Sequence, residues 1–288
     1  MACSLFDKSI NRVLFDNCGI DDEEFAAILQ GLAKLNDFKS IIYKQNTFNE
    51  MSMENIIPLF HKKLPNHLEE LRIIDCKIPY KVSEELVNEI VFKSQLTKLA
   101  LVKANLNSTT FSHLVTFFKQ SLHLCEIDLT WCEVQQSSWL PFFEVLKDNK
   151  KLTYLNLACN RLFDNTNQEQ TQTQMEQLVI FIKRNPSLVH VNLQNCDLDE
   201  GKLRMIGGCL RKSHAMRAIH LCGNPGINEG LIKWMKGRIH AKPDEKENKI
   251  EQGYKSELGK FEIKNRKDNT FQEAVQLRNI MQNKTIGS

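Results

Sequence analysis

The chain has 288 residues, 42% hydrophobic and 25% charged, with 38 Lys and Arg against 35 Asp and Glu for a formal net charge of +3. Such a composition builds a core, while so small a charge gives no electrostatic case for nucleic acid or an anionic membrane as main partner. No run approaches the ~18 consecutive apolar residues of a membrane span, and a repeat array of this length can run as one elongated domain because each unit packs only on its neighbours.

The first residues, MACSLFDKSI, have no basic region followed by a long apolar stretch, and Asp7 stands where a mitochondrial presequence avoids acid. Nine cysteines without a secretory context read as reduced thiols rather than a disulfide framework. A cytoplasmic compartment is expected.

After a lead-in of residues 1–9, an eleven-residue pattern begins at Ile10 and returns at Phe38, Leu68, Leu96, Leu124, Leu152, Leu188 and Met216, eight copies in all. The clearest copy is Leu152–Leu162, LTYLNLACNRL, with Leu152, Leu155 and Leu157 at positions one, four and six, Asn160 at nine and Leu162 at eleven. Positions one, four and six are apolar in every copy. Position nine holds Cys18, Asn46, Cys76, Ala104, Cys132, Asn160, Cys196 and Asn224, spaced by 28, 30, 28, 28, 28, 36 and 28 residues.

The order L-x-x-L-x-L-x-x-N/C-x-L resembles the leucine-rich-repeat signature, and a period near 28 resembles the ribonuclease-inhibitor-like subclass, in which a full helix follows each strand. The resemblance covers about residues 10–241 and implies an α/β solenoid, a horseshoe of about eight repeats with a parallel sheet on its concave side and α-helices on its convex side. Two departures are Ala104, which lacks the polar group of position nine, and Gly226 in the last copy, where Ile227 takes over position eleven.

Physics accounts for the pattern. Side chains alternate along a strand, so positions four and six face the core while their neighbours face out. Where the strand ends, buried backbone groups need partners that an Asn amide or a Cys thiol can supply. That role assigns Cys18, Cys76, Cys132 and Cys196 to structure rather than to chemistry.

Between the strands lie segments of helical spacing. Phe25, Ile28, Leu29, Leu32 and Leu35 follow an acidic first turn at Asp21 to Glu24, which suits the positive end of a helix dipole. Later equivalents carry Ile56, Leu59 and Phe60; Leu86 and Ile90; Phe111, Leu114 and Phe118; Phe142, Phe143 and Leu146; Leu178, Phe181 and Ile182; Leu203, Ile206 and Leu210; and Leu231, Trp234 and Met235. Their aromatics fall on the face that must bury, so they read as core rather than a cofactor box.

The array is interrupted by the polar run Asp164 to Gln174, which accounts for the long interval before Cys196 and reads as a mobile surface loop. Residues 242–288 form a tail of mixed charge, mostly disordered by composition. Within it Thr270 and Glu273 have capping-box spacing, and Phe271, Val275 and Met281 share a face of a helix over about 270–283. That helix either covers the last repeat or binds a partner.

No phosphate-binding, dinucleotide or metalloprotease motif occurs, and no C-x-x-C pair. The histidines, among them His61, His67, His113 and His123, read as dispersed over helices or turns without metal-ligand spacing. Asp197, Asp199 and Glu200 stand at a strand-to-helix turn, where capping explains them. No enzyme, cofactor, metal or small-molecule substrate is indicated.

The outward positions are more informative. Leu14, Ile42 and Arg72 occupy position five, Ile74 and Val102 position seven, Trp131 position eight and Tyr154 position three. An exposed apolar patch with aromatics and an arginine has the composition of a protein-binding surface. The expectation is an interaction scaffold in a larger assembly. The style of the array resembles short leucine-rich-repeat proteins of the ciliary axoneme, such as those of the dynein regulatory complex and radial spoke. The same subclass contains GTPase activators of the Ran-activating type, but the tail here is mixed in charge rather than acidic, and no functional residue transfers. A ubiquitin-ligase substrate receptor would carry an F-box before the first repeat, where this sequence has nine residues.

Overall fold

The computed structural model describes residues 10–32, 34–35, 37–48, 68–91, 95–213 and 215–239. The lead-in, the helix expected around Ile56, Leu59 and Phe60, and the tail with Phe271, Val275 and Met281 lie outside the described residues.

Eight strands form one parallel sheet in chain order: β1 (Arg12–Asp16), β2 (Ser40–Lys44), β3 (Glu70–Ile74), β4 (Lys98–Val102), β5 (Glu126–Asp128), β6 (Tyr154–Asn156), β7 (His190–Asn192) and β8 (Ala218–His220). The register is that of the repeat, for Val13 pairs with Ile41, Ile41 with Leu71 and Leu71 with Leu99. Parallel neighbours need a crossover, supplied among the described residues by α1 (Asp22–Leu32), α2 (Tyr80–Ile90), α3 (Ser108–Gln120), α4 (Trp139–Leu146), α5 (Gln168–Arg184) and α6 (Glu200–Leu210), while α7 (Glu229–Ile239) follows β8.

The core lies between the sheet and these helices. Leu71, Leu99, Ile127, Leu155 and Val191 from position four meet Phe111, Phe118, Phe142, Phe143 and Phe181 from the helices, all buried. The aromatics pack on one another, with Phe111 on Trp139 at 5.0 Å and Phe143 on Phe181 at 5.9 Å between ring centroids. Among the described residues no helix is long and apolar enough to cross a membrane.

Helix starts follow the sequence signals. Asp21 and Glu24 form a reciprocal capping box on α1, and Asn107, Asp199 and Asn228 accept the N–H of Thr110, Lys202 and Leu231 to cap α3, α6 and α7. The polar run Asp164 to Gln174 corrects the expectation of a loop. Asn167 caps Gln170, the chain is helical from Gln168, and Gln174 is 0% exposed with its Nε2 donating to the Gln136 carbonyl at 2.6 Å. The extra residues lengthen α5 at its N-terminus, because one good cap and helix-tolerant glutamines outweigh polarity.

At position nine, Asn and Cys do complementary work. The Asn160 amide donates to the carbonyls of Leu129 and Leu157 at 2.7 and 2.9 Å and accepts the Cys132 N–H at 2.9 Å. Asn46 and Asn224 repeat this arrangement, and the Cys76 and Cys196 thiols donate to Tyr43 and Leu157 carbonyls. Burial pushes the Cys196 thiol up to about 12 and the Cys132 thiol higher still, so neither is a nucleophile at neutral pH.

Candidate protein-binding face

Position eight, beyond the end of each strand, is a left-handed residue in every repeat. Asn17, Gln45, Asp75, Lys103, Trp131, Cys159, Asn195 and Gly223 all have φ between 48° and 73°. Asn, Asp and Gly adopt this conformation readily. A tryptophan does not, and Trp131, with φ of 56°, is a steric oddity held in place by the repeat.

The concave face divides into two halves. On β1 to β4, position five is Leu14, Ile42, Arg72 and Ala100, and each strand has five residues. On β5 to β7, position five is Asp128, Asn156 and Asn192, whose side chains accept the N–H of Thr130, Ala158 and Gln194, two residues on. This local bond competes with the strand, and these strands have only three residues.

The first half carries the apolar residues as a diagonal stripe. Leu14, 55% exposed, pairs across the sheet with Ile42, which is 8% exposed. Ile74 pairs with Val102 one step further along their strands, and Trp131 follows on the rim. Ile42 is thus the floor of the stripe, and Leu14, Ile74, Val102 and Trp131 are its accessible surface. Lys103 Nζ lies 5.6 Å over the Trp131 ring and 2.6 Å from Asp75.

Arg72 has a different place from the one its exposure in sequence suggests. Its Nε donates to Glu70 at 2.6 Å and its Nη2 to Glu126 at 2.9 Å. Ser40 also donates to Glu70, and Lys98 lies 3.0 Å from Glu126. Burial alone would push the Glu70 carboxyl up, but the hydrogen bonds from Ser40 and Arg72, with the charges of Arg72 and Arg12, hold it below its ordinary value. Position three therefore carries a charge ladder from Arg12 to Glu126 that sequence reading missed. The alternation Arg12, Ser40, Glu70, Lys98, Glu126 was its signal.

Between positions three and eight, the described strands carry five acids (Asp16, Glu70, Asp75, Glu126, Asp128) and five bases (Arg12, Lys44, Arg72, Lys98, Lys103). Ion pairs link all but Asp128, which accepts from Thr130 and Asn156. The face is electrically neutral.

Tyr154 does not join the stripe. It stands at position three of β6, five positions from the Trp131 row, or roughly 16 Å along the strand direction, and its ring meets His190 edge-on at 4.8 Å. His190 in turn stacks on His220 at 4.6 Å and 24°. The two imidazoles on adjacent strands correct the reading of dispersed histidines. Among the described residues no group of three or more His, Cys, Asp or Glu could hold a metal ion.

Burial lowers the pKa of both imidazoles, and for His190 the neighbouring His220 adds to the effect. An unfolded chain therefore takes up these protons first, at about the ordinary value of 6.5. The stability conferred by the neutral pair is fully present above that pH and is lost as pH falls from there through the folded values. The melting temperature is expected to decline over this window, and His190→Gln with His220→Gln to flatten the decline. An unchanged slope in the double variant would show that other groups cause it.

No family model matches the chain. Mouse NACHT, LRR and PYD domains-containing protein 4B is 23% identical over 198 residues, which is 68% of this chain and 22% of that protein. Among solved structures, a chain of the yeast Rad7 and Elc1 complex is similar with a TM-score of 0.52 and 16% identity, over 77% of this chain and 52% of that one. The chain has the fold of a leucine-rich-repeat protein, the parallel-sheet solenoid. Leiomodin-1 actin-binding site 2 is also similar, with a TM-score of 0.42 and 12% identity over 73% of this chain and 99% of that one. The matched region spans about a fifth of the mouse relative and half of the yeast chain.

Proposed function

We propose that this solenoid is a non-enzymatic interaction scaffold whose concave face receives a helix or extended segment of a protein partner. Trp131 carries the reading. In the left-handed region it costs the fold on the order of 1 kcal/mol, and its ring, with Lys103 over it, stays only half-buried. Its compensation is burial against a partner, continuing the stripe of Leu14, Ile74 and Val102. Two facts support a protein over a polyanion: the neutral face, and the yeast neighbour's being solved as a complex with a second protein.

Ile74→Asp with Trp131→Asp tests this. Asp accepts left-handed backbone more readily than Trp, so the variant is expected to melt no lower at position 131 than the wild type. Partners that co-purify with the wild-type chain are expected to weaken by about thirtyfold or more, the loss of one or more hot spots of ~2 kcal/mol. Because the face is neutral, wild-type capture is expected to change little with salt. Partners retained in full by a folded double variant would overturn the proposal.

The narrower reading, a subunit of a ciliary axoneme complex such as the dynein regulatory complex or a radial spoke, rests on the style of the array alone. Enrichment of the tagged chain in isolated axonemes supports it, and exclusion from them overturns it.

A further inference from the structure

Among the described residues, the second half of the concave face has hydrogen-bond donors without partners. Asn192 uses its Oδ1 on the Gln194 N–H, and among the described residues its Nδ2 has no hydrogen-bond partner. His190 lies two residues before it on the same strand, and His220 is its partner across the sheet. The imidazoles stack, and Tyr154 braces His190 from the side. All three donor groups are half-buried.

The charged and titratable neighbours are few. On β6 the facing group is Tyr154, whose phenol is raised by burial first and then by Asp128 and Glu126. Those two carboxylates reach Tyr154 but do not act on either histidine. On β8 His220 has Cys222 two residues beyond it, and Arg217, exposed before the strand, is already engaged. Among the described residues no carboxylate therefore complements the imidazoles, in contrast to the first half, where basic side chains are ion-paired.

We infer that His190, Asn192 and His220 form a carboxylate-binding subsite, which takes an acidic side chain of the same protein segment that crosses the apolar stripe. The inference rests on the concave-face reading of the preceding section. A partner carboxylate brings the counter-charge that is absent among the described residues, and its binding draws protons onto the imidazoles. By linkage the grip tightens as pH falls through the histidine range. The half-buried site makes the contact stronger than a surface ion pair.

The probes are an acetylated, amidated peptide of alternating leucine and glutamate and its leucine–glutamine counterpart, titrated onto the full chain by fluorescence anisotropy. The glutamate peptide is expected to bind about tenfold or more tightly at about pH 5.5 than at about pH 7.5, through proton uptake by the pair. The glutamine peptide is expected to show no such gain. Imidazole NMR shifts of His190 and His220 should move with the glutamate peptide in the unmutated chain, a readout independent of any variant. His190→Gln with His220→Gln should remove the pH gain while retaining the fold.

Equal binding of the two peptides at the lower pH, unmoved imidazole shifts, or a gain that survives the double variant would overturn the subsite. Ile74→Asp with Trp131→Asp separates the two readings. If it releases both peptides while the histidine variant changes nothing, only the carboxylate subsite falls. If it releases neither while the histidine variant weakens the glutamate peptide, the subsite stands and the apolar stripe falls.

Discussion

Asn160→Ala is expected to lower the free energy of unfolding by about 3 kcal/mol, because it strands two buried backbone groups, the Leu129 carbonyl and the Cys132 N–H, each worth roughly 1–3 kcal/mol when left unpaired. The Leu157 carbonyl keeps the Cys196 thiol. The Asn160 amide is 2% exposed and holds the carbonyls of Leu129 and Leu157 and the N–H of Cys132, so it ties its own repeat to the preceding one. Alanine can neither donate nor accept, and the site is too enclosed for water to substitute freely. The reverse change has the opposite sign. Position nine alternates Cys and Asn along the chain, and Ala104, 3% exposed, occupies an Asn place. Ala104→Asn is expected to gain about 1 kcal/mol by supplying the ladder bonds missing there. Urea denaturation of both variants measures the pair, since a shifted midpoint with an unchanged slope reports stability alone. Equal destabilisation by the two substitutions would show that volume, not hydrogen bonding, governs the slot.

The solenoid was legible because its determinants are local and repeated. Positions one, four and six specify which side of each strand is buried, and eight copies make the register unmistakable. The concave face was legible as a list of outward residues but not as a surface. Ile42 and Leu14 occupy equivalent positions, yet one is nearly covered and the other stands open at the end of the sheet. Arg72 reads as an available cation until its neighbours on β3 and β5 are known to be Glu70 and Glu126. The stack of His190 on His220 joins residues 30 positions apart, across an interval that contains no periodic signal for a histidine pair. The run Asp164 to Gln174 failed for a different reason. Its composition suits solvent, but Asn167 offers a cap, and a helix already required by the repeat can be extended more easily than a loop can be ordered.

Gly226→Ala is expected to destabilise the last repeat by about 3 kcal/mol, at the upper end of the cost of overpacking. A Cβ at Gly226 would lie 2.2 Å from the carbonyl carbon of Asp199 and from the amide nitrogen of Glu200, and backbone at such a distance cannot swing aside. The clash falls where the last two repeats are joined. Gly226 donates its N–H to the Leu198 carbonyl at 3.0 Å, Asn224 accepts the Leu198 N–H at 3.1 Å, and Asp199 caps α6. Pushing the turn away therefore weakens the cap and the ladder together. Gly208, in α6, provides the control, for a Cβ there meets nothing within 4 Å. Gly208→Ala is expected to gain up to about 1 kcal/mol from helix propensity. Because a repeat interacts only with its neighbours, amide exchange in Gly226→Ala should quicken in β8 and α7 and remain unchanged in β1 to β4. His220 belongs to the loosened repeat and Trp131 does not. The variant is thus expected to lose the proposed pH-dependent grip on the glutamate peptide while the apolar stripe still binds; loss of exchange protection across the whole sheet would show that the array unfolds as one unit instead.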